Sequence, residues 1–188
     1  MIARCRIAIC LFVFVFVASV ALADPPIRSG VKVGKRPGPY TSLVSVGPER
    51  GTSHCYICEA ENKPVVIVFA RSLSEPLGKL LQEIDSAVLK NKDAELQSWT
   101  TFLHEDQTVF DSQVVAFAKK HGIRQVPLGI YTDAVGPPTY LISKAADVTV
   151  LLSVNQSVQA NFAFRTGELN EKAIREIVQT LPKITKAK

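Results

Sequence analysis

The sequence predicts an α/β fold: a three-layer sandwich around a mixed sheet with a parallel centre, a terminal antiparallel hairpin and an extended N-terminal arm. Three observations carry this expectation. The run Pro64-Val65-Val66-Ile67-Val68-Phe69-Ala70 is apolar throughout, rich in β-branched residues and too short for a helix, the pattern of a strand covered on both faces. Downstream of it, strand-like and helix-like segments alternate, which implies right-handed crossovers between parallel neighbours. Residues 148–164 then read as two strands joined by a polar turn, which adds an antiparallel edge.

The elements follow in order. Arg4 and Arg6, the apolar run from Ile7 to Val17, and Ala21-Leu22-Ala23 before Asp24-Pro25-Pro26 form the pattern of a secretory signal peptide with a small-x-small cleavage site. Residues 1–23 are therefore expected to leave, giving an exported protein, periplasmic or secreted, with no stable membrane anchor after cleavage. Residues 24–62 are rich in Gly and Pro and poor in apolar side chains. They read as an arm or hairpin laid on the main domain, with a short strand within residues 40–46. Residues 63–188 are expected to form the main domain.

Within it, Leu77, Leu80, Leu81, Ile84 and Val88 recur at helical spacing after Ser74 and Pro76, a capped first turn followed by one buried stripe. Residues 96–103, with Trp99 and Phe102, read as the next strand. Phe110, Val114, Phe117, Ala118 and His121 mark a second helix stopped by Gly122, and His121 beside that stop is read as a capping or surface residue. Residues 126–131 give another strand, and Gly136-Pro137-Pro138 a turn. In the hairpin, Val158, Ala160, Phe162 and Phe164 form the buried face of the second strand. Ile174, Ile177, Val178 and Leu181 line the last helix, with Asn170 as its N-cap, Leu169 as its staple and Pro182 at its end.

Charge and cysteine content narrow the function classes. The leader holds two of the 22 basic residues and none of the 17 acidic ones, so the mature balance is near +3 rather than +5. No basic stripe interleaved with aromatics is present, so nucleic acid is not an expected partner. Cys5 and Cys10 depart with the leader, leaving Cys55 and Cys58 as the mature thiols, a pair expected to be bonded in an oxidising compartment.

The candidate site is therefore His54-Cys55-Tyr56-Ile57-Cys58-Glu59. A C-x-x-C suits thiol exchange because the second sulfur can attack a mixed disulfide formed by the first. A protonated His54 would lower the pKa of Cys55, whereas Glu59 and Glu61 oppose it, and no helix start is evident in the sequence to help. Cys55, nearer His54 and farther along the chain from the acids, is expected to be the attacking thiol. A second reading is a resting disulfide that braces the arm, for which a loop of about four residues contributes only about 2 kcal/mol in the chain-entropy model. A third is a metal site of His54, Cys55 and Cys58, completed by His104 or His121. Covalent haem is not supported, because Glu59 stands where a His would follow Cys58, and no cofactor is expected. Pro127 and Pro138 are candidates for a turn or a cis peptide. Ser72 and Ser74 read as helix caps.

The order of elements, Lys120-His121-Gly122-Ile123-Arg124-Gln125-Val126-Pro127, and Gly167-Glu168-Leu169 before the last helix resemble the thioredoxin superfamily. Residues 33–40 and 126–131 resemble its peroxiredoxin and exported thiol-reductase branch. Cys55-Tyr56-Ile57-Cys58-Glu59, residues 64–71, Gly136-Pro137-Pro138 and residues 146–152 look like exported bacterial thioredoxin-like proteins without an assigned function. The resemblance implies a thioredoxin-like fold and an exported thiol or disulfide protein as partner. It also implies a catalytic cysteine at the helix start after the central strand, where this chain has Arg71-Ser72-Leu73-Ser74-Glu75-Pro76. Peroxidase activity and a thioredoxin site at the usual place are thus not expected, and the displaced pair is what remains.

Overall fold

The computed structural model describes residues 25–186, so the expected signal peptide lies outside the described residues. The elements are β1 (Ser42–Val46), β2 (Ser53–His54), α1 (Tyr56–Ala60), β3 (Val65–Ala70), α2 (Glu75–Lys90), β4 (Gln97–Leu103), α3 (Gln107–His121), β5 (Leu128–Tyr131), β6 (Val148–Val154), β7 (Ser157–Phe164), α4 (Glu171–Thr180) and α5 (Pro182–Thr185). One seven-stranded sheet has the order β2-β1-β5-β4-β3-β6-β7. The parallel core β3-β4-β5 is flanked by antiparallel β6 on one side and antiparallel β1 on the other.

Every residue of β3 is buried, as its unbroken apolar sequence requires. Because strand side chains alternate, Val66 and Val68 face the layer of α2, α3, α4 and α5, where Leu80, Ile84, Val114 and Ile177 pack. Val65, Ile67 and Phe69 face the other way, with Trp99, Leu103 and Leu151. Among the described residues, that second face has no long helix. It is covered by Val31 of the arm, Ala60 of α1 and Tyr140, the last from a one-turn helix, Pro138–Tyr140, in the crossover between β5 and β6.

Ser74 and Asn170 cap their helices as read from the sequence. Ser74 accepts a hydrogen bond from the Leu77 amide and Asn170 from the Ala173 amide, while Asp106 caps α3 in the same way. Gly122 closes α3 at φ 63°, a left-handed conformation that explains a glycine at this stop. The β6–β7 turn is only two residues long, Asn155 and Gln156, with φ of 52° and 58°, the double left-handed pair that suits a tight hairpin.

Several local expectations need correction. His121 is buried at 7% exposure, beneath Gly78 of α2, because the two helices approach too closely there to leave it at the surface. Phe162 and Phe164 are only half-buried, packed at the margin of the core. Pro182 does not merely end the last helix but starts α5, consistent with the tolerance of a first helical turn for proline. Pro127 and Pro138 both have trans peptide bonds: Pro127 leads into β5, where its carbonyl accepts from the Thr100 amide at 2.9 Å, and Pro138 opens its one-turn helix.

Candidate functional site

The arm is held to the sheet by backbone and side chain together. Gly34 donates to the Val158 carbonyl at 2.8 Å and Val158 to that of Lys35 at 3.0 Å, so the arm runs along β7. Asn161 donates to the carbonyls of Ser29 and Val31 at 2.8 and 2.9 Å. Farther on, Tyr140 donates its hydroxyl to the Gly38 carbonyl at 2.9 Å, and Tyr40 enters an aromatic cluster with Phe69, Tyr131 and Tyr140. The Tyr40 hydroxyl lies 2.8 Å from Thr101 Oγ1 and accepts from the Trp99 indole at 2.8 Å. Burial raises the pKa of Tyr40 and of Tyr140 far above the ordinary tyrosine value, so both act as neutral hydrogen-bonding groups.

This cluster is the floor on which α1 stands. Tyr56 stacks on Trp99, ring centroids 5.7 Å apart, and donates its hydroxyl to Glu49 at 2.9 Å. Desolvation, and then that hydrogen bond to Glu49, push the Tyr56 pKa well upward. Cys55 and Cys58 are joined, with sulfurs 1.99 Å and Cα atoms 5.4 Å apart. Contrary to the sequence reading, a helix does begin at the pair: Cys55 is the N-cap residue of α1, and the Cys58 amide donates to the Cys55 carbonyl at 3.1 Å. Five helical residues are too few to register as amphipathic periodicity.

His54 is occupied on both sides. Its ring packs 4.4 Å from that of Tyr56, and Nε2 lies 3.3 Å from Glu59 Oε2 without the alignment of a hydrogen bond. Cys55 is half-buried and Cys58 exposed. Cys58 lines a groove of about 600 Å³ with Arg36, Pro37, Gly38, Pro39, Ile57, Glu61 and Gln156. Both sulfurs are committed to each other, and among the described residues no group of three or more His, Cys, Asp or Glu side chains is arranged to hold an ion.

The groove and the start of α2 lie at opposite ends of the sheet and on opposite faces. Gln156 and Asn155 bond to Asn62 just before β3, whereas α2 follows its far end. Six strand residues separate the two ends by about 20 Å. At the α2 end, Arg71 donates to the carbonyls of Ala146 at 2.9 Å, Ser143 at 3.2 Å and Ala134. Ser72, rather than capping a helix, donates to Asp147 Oδ2 at 2.9 Å. The turn that a thioredoxin uses for thiol chemistry here ties β3 to the crossover before β6. Arg71→Lys is expected to lower stability by about 1–2 kcal/mol, because one ammonium cannot span three diverging carbonyls. A urea midpoint shifted down at unchanged slope is the expected reading; an unchanged midpoint would count against the clamp.

Neither a family model nor a curated protein matches the chain. Solved structures do. It is similar to a candidate protein disulfide isomerase from Bacteroides thetaiotaomicron, with TM-score 0.65 and 21% identity over 86% of this chain and 96% of that one. A secreted thiol-disulfide isomerase from Corynebacterium glutamicum gives TM-score 0.60 and 13% identity over 93% and 98% of the two chains. Peroxidoxin BcpB from Mycobacterium tuberculosis gives 0.57 and 13% over 81% and 97%.

Proposed function

The fold is thioredoxin-like, and within that fold we propose that this chain is an exported protein of thiol-disulfide exchange, working through Cys55 and Cys58. The observation that carries the reading is a bonded C-x-x-C whose second cysteine is exposed in a groove. Exchange is also the reaction for which the chain supplies residues: one sulfur to form a mixed disulfide and a second, three residues away, to resolve it. The leader-like residues 1–23, and a similar structure described as secreted, support an exported location. Partners are then exported proteins carrying a thiol or disulfide. A second reading, a binding module braced by its disulfide, is favoured by the aromatic floor, which fixes α1 as firmly as a structural element needs.

The reduction potential of the pair in the mature protein separates the two. Thiol trapping across graded redox buffers is expected to give a value above about −250 mV, the range of exchangeable disulfides. A value below about −300 mV is that of a structural bridge and would remove the exchange reading. With exchange established, Cys55→Ser is expected to abolish turnover of a disulfide substrate while leaving a folded domain.

A further inference from the structure

Resting on the exchange reading, we propose that Cys58, not Cys55, is the sulfur that meets the external thiol or disulfide, and that Cys55 is the resolving sulfur. The assignment follows from access. Attack on a disulfide proceeds at one sulfur with the other as leaving group, so the sulfur open to approach decides which one forms the mixed disulfide. Cys58 is exposed and lines the groove between residues 36–39 of the arm and α1, whereas Cys55 is half-buried at the junction of β2 and α1 and does not line that groove.

The start of α1 at Cys55 favours a thiolate there, although a helix of five residues carries only a small dipole, and the other electrostatic reason to prefer Cys55 is weakened. Its nearest candidate for a stabilising cation, His54, has Glu59 at 3.3 Å, so any positive charge on the imidazole is met by a carboxylate before it acts on a thiolate. Cys58 shares its groove with Arg36, whose permanent positive charge favours a thiolate, and with Glu61, which opposes it. Arg36 and Glu61 thus act against each other in the groove, and access decides.

The steps balance in both directions. A substrate thiolate attacks Cys58 Sγ, the Cys55–Cys58 bond breaks, and Cys55 takes the electron pair and then a proton. The second substrate thiolate attacks the substrate sulfur of the mixed disulfide, and Cys58 leaves as a thiolate that takes up the second proton. The substrate dithiol has lost two electrons and two protons, and the pair has gained them. In reverse, the Cys58 thiolate attacks a substrate disulfide, one substrate thiolate leaves, and Cys55 attacks Cys58 Sγ to release the other.

Competitive alkylation tests the order. The mature protein is reduced, treated with substoichiometric iodoacetamide at neutral pH, and the site of first modification read by mass spectrometry. Cys58 is expected to carry at least ten times as much label as Cys55. In parallel, Cys55→Ser is expected to form a mixed disulfide with glutathione disulfide at least ten times faster than Cys58→Ser does. Equal labelling, or faster reaction at Cys55, overturns the assignment while leaving exchange intact. Failure of both thiols to react in the folded protein overturns the assignment and the exchange reading together. Far-ultraviolet circular dichroism of each variant confirms that the folded protein is what reacts.

Discussion

Asp85→Ala is expected to lower stability by about 3 kcal/mol, the largest single-residue effect on folding proposed for this chain. Asp85 lies on α2 at 8% exposure. Its Oδ1 accepts from three consecutive amides, those of Arg124 at 2.9 Å, Gln125 at 2.6 Å and Val126 at 3.1 Å. These amides precede β5 and have no strand partner of their own, so one carboxylate sets the path by which the chain leaves α3 and enters the sheet. The cost is less than three full bonds to a charged acceptor. Arg124 and Gln125 are exposed and their amides can recover water, whereas Val126, at 1% exposure, cannot. Alanine also improves helix propensity by a few tenths of a kcal/mol, too little to offset the loss. Asp85→Asn keeps an acceptor oxygen and is expected to cost about half as much. Urea unfolding of both variants checks the order, and a loss below about 1 kcal/mol for Asp85→Ala would show that the three amides are satisfied without it.

How much of this was readable beforehand differs by element, for physical reasons. β3 and β6 were legible because strands buried on both faces are written in apolar, β-branched residues, and β6 begins at Val148 where the expected hairpin 148–164 begins. α2 and α4 were legible through their stripes and caps. α1 and β2 were not: five and two residues are too short for a period. Asp85 left a signal that went unread, since it falls on the same stripe as Leu81 and Val88, where a charge needs a buried partner. The site divides in the same way. Cys55 and Cys58 stand out as a motif, but their groove is assembled from Arg36 to Pro39 and from Gln156, segments far apart in sequence. What joins them is the hydrogen bonding of Gly34 and Lys35 to Val158, and no local pattern encodes that pairing. The misreading of His121 has the same origin, because its burial depends on a glycine more than forty residues earlier.

That glycine supplies the other large effect. Gly78→Ala is expected to destabilise the protein by about 2 kcal/mol, although alanine is the better helix former by about 1 kcal/mol. A Cβ on Gly78 would lie 2.2 Å from His121 Cε1 and 2.4 Å from each ring nitrogen, and the ring is backed by Phe117 at 4.6 Å between centroids, so it has little room to retreat. Overpacking therefore outweighs propensity. If the clash is the cause, Gly78→Ala in a His121→Ala background should lose most of its cost, a coupling above about 1 kcal/mol in a double-mutant cycle; additive losses would place the defect elsewhere. The same burial gives the stability of the fold a pH dependence. Desolvation, and then the neighbouring Lys120, hold the His121 pKa below its usual value. Glu75 Oε2, 3.7 Å from Nε2, acts the other way, but this carboxylate is exposed and shared with Lys120. The folded state thus takes up this proton less readily than the unfolded chain. Its contribution is complete above the unfolded pKa, near 6.5, and is lost as pH falls from there through the lower folded value. Thermal unfolding between pH 7 and pH 5 should show a decline in stability that is shallower in His121→Ala than in the parent, and equal slopes would mean that the ring takes up its proton as readily in the folded state as in the unfolded one.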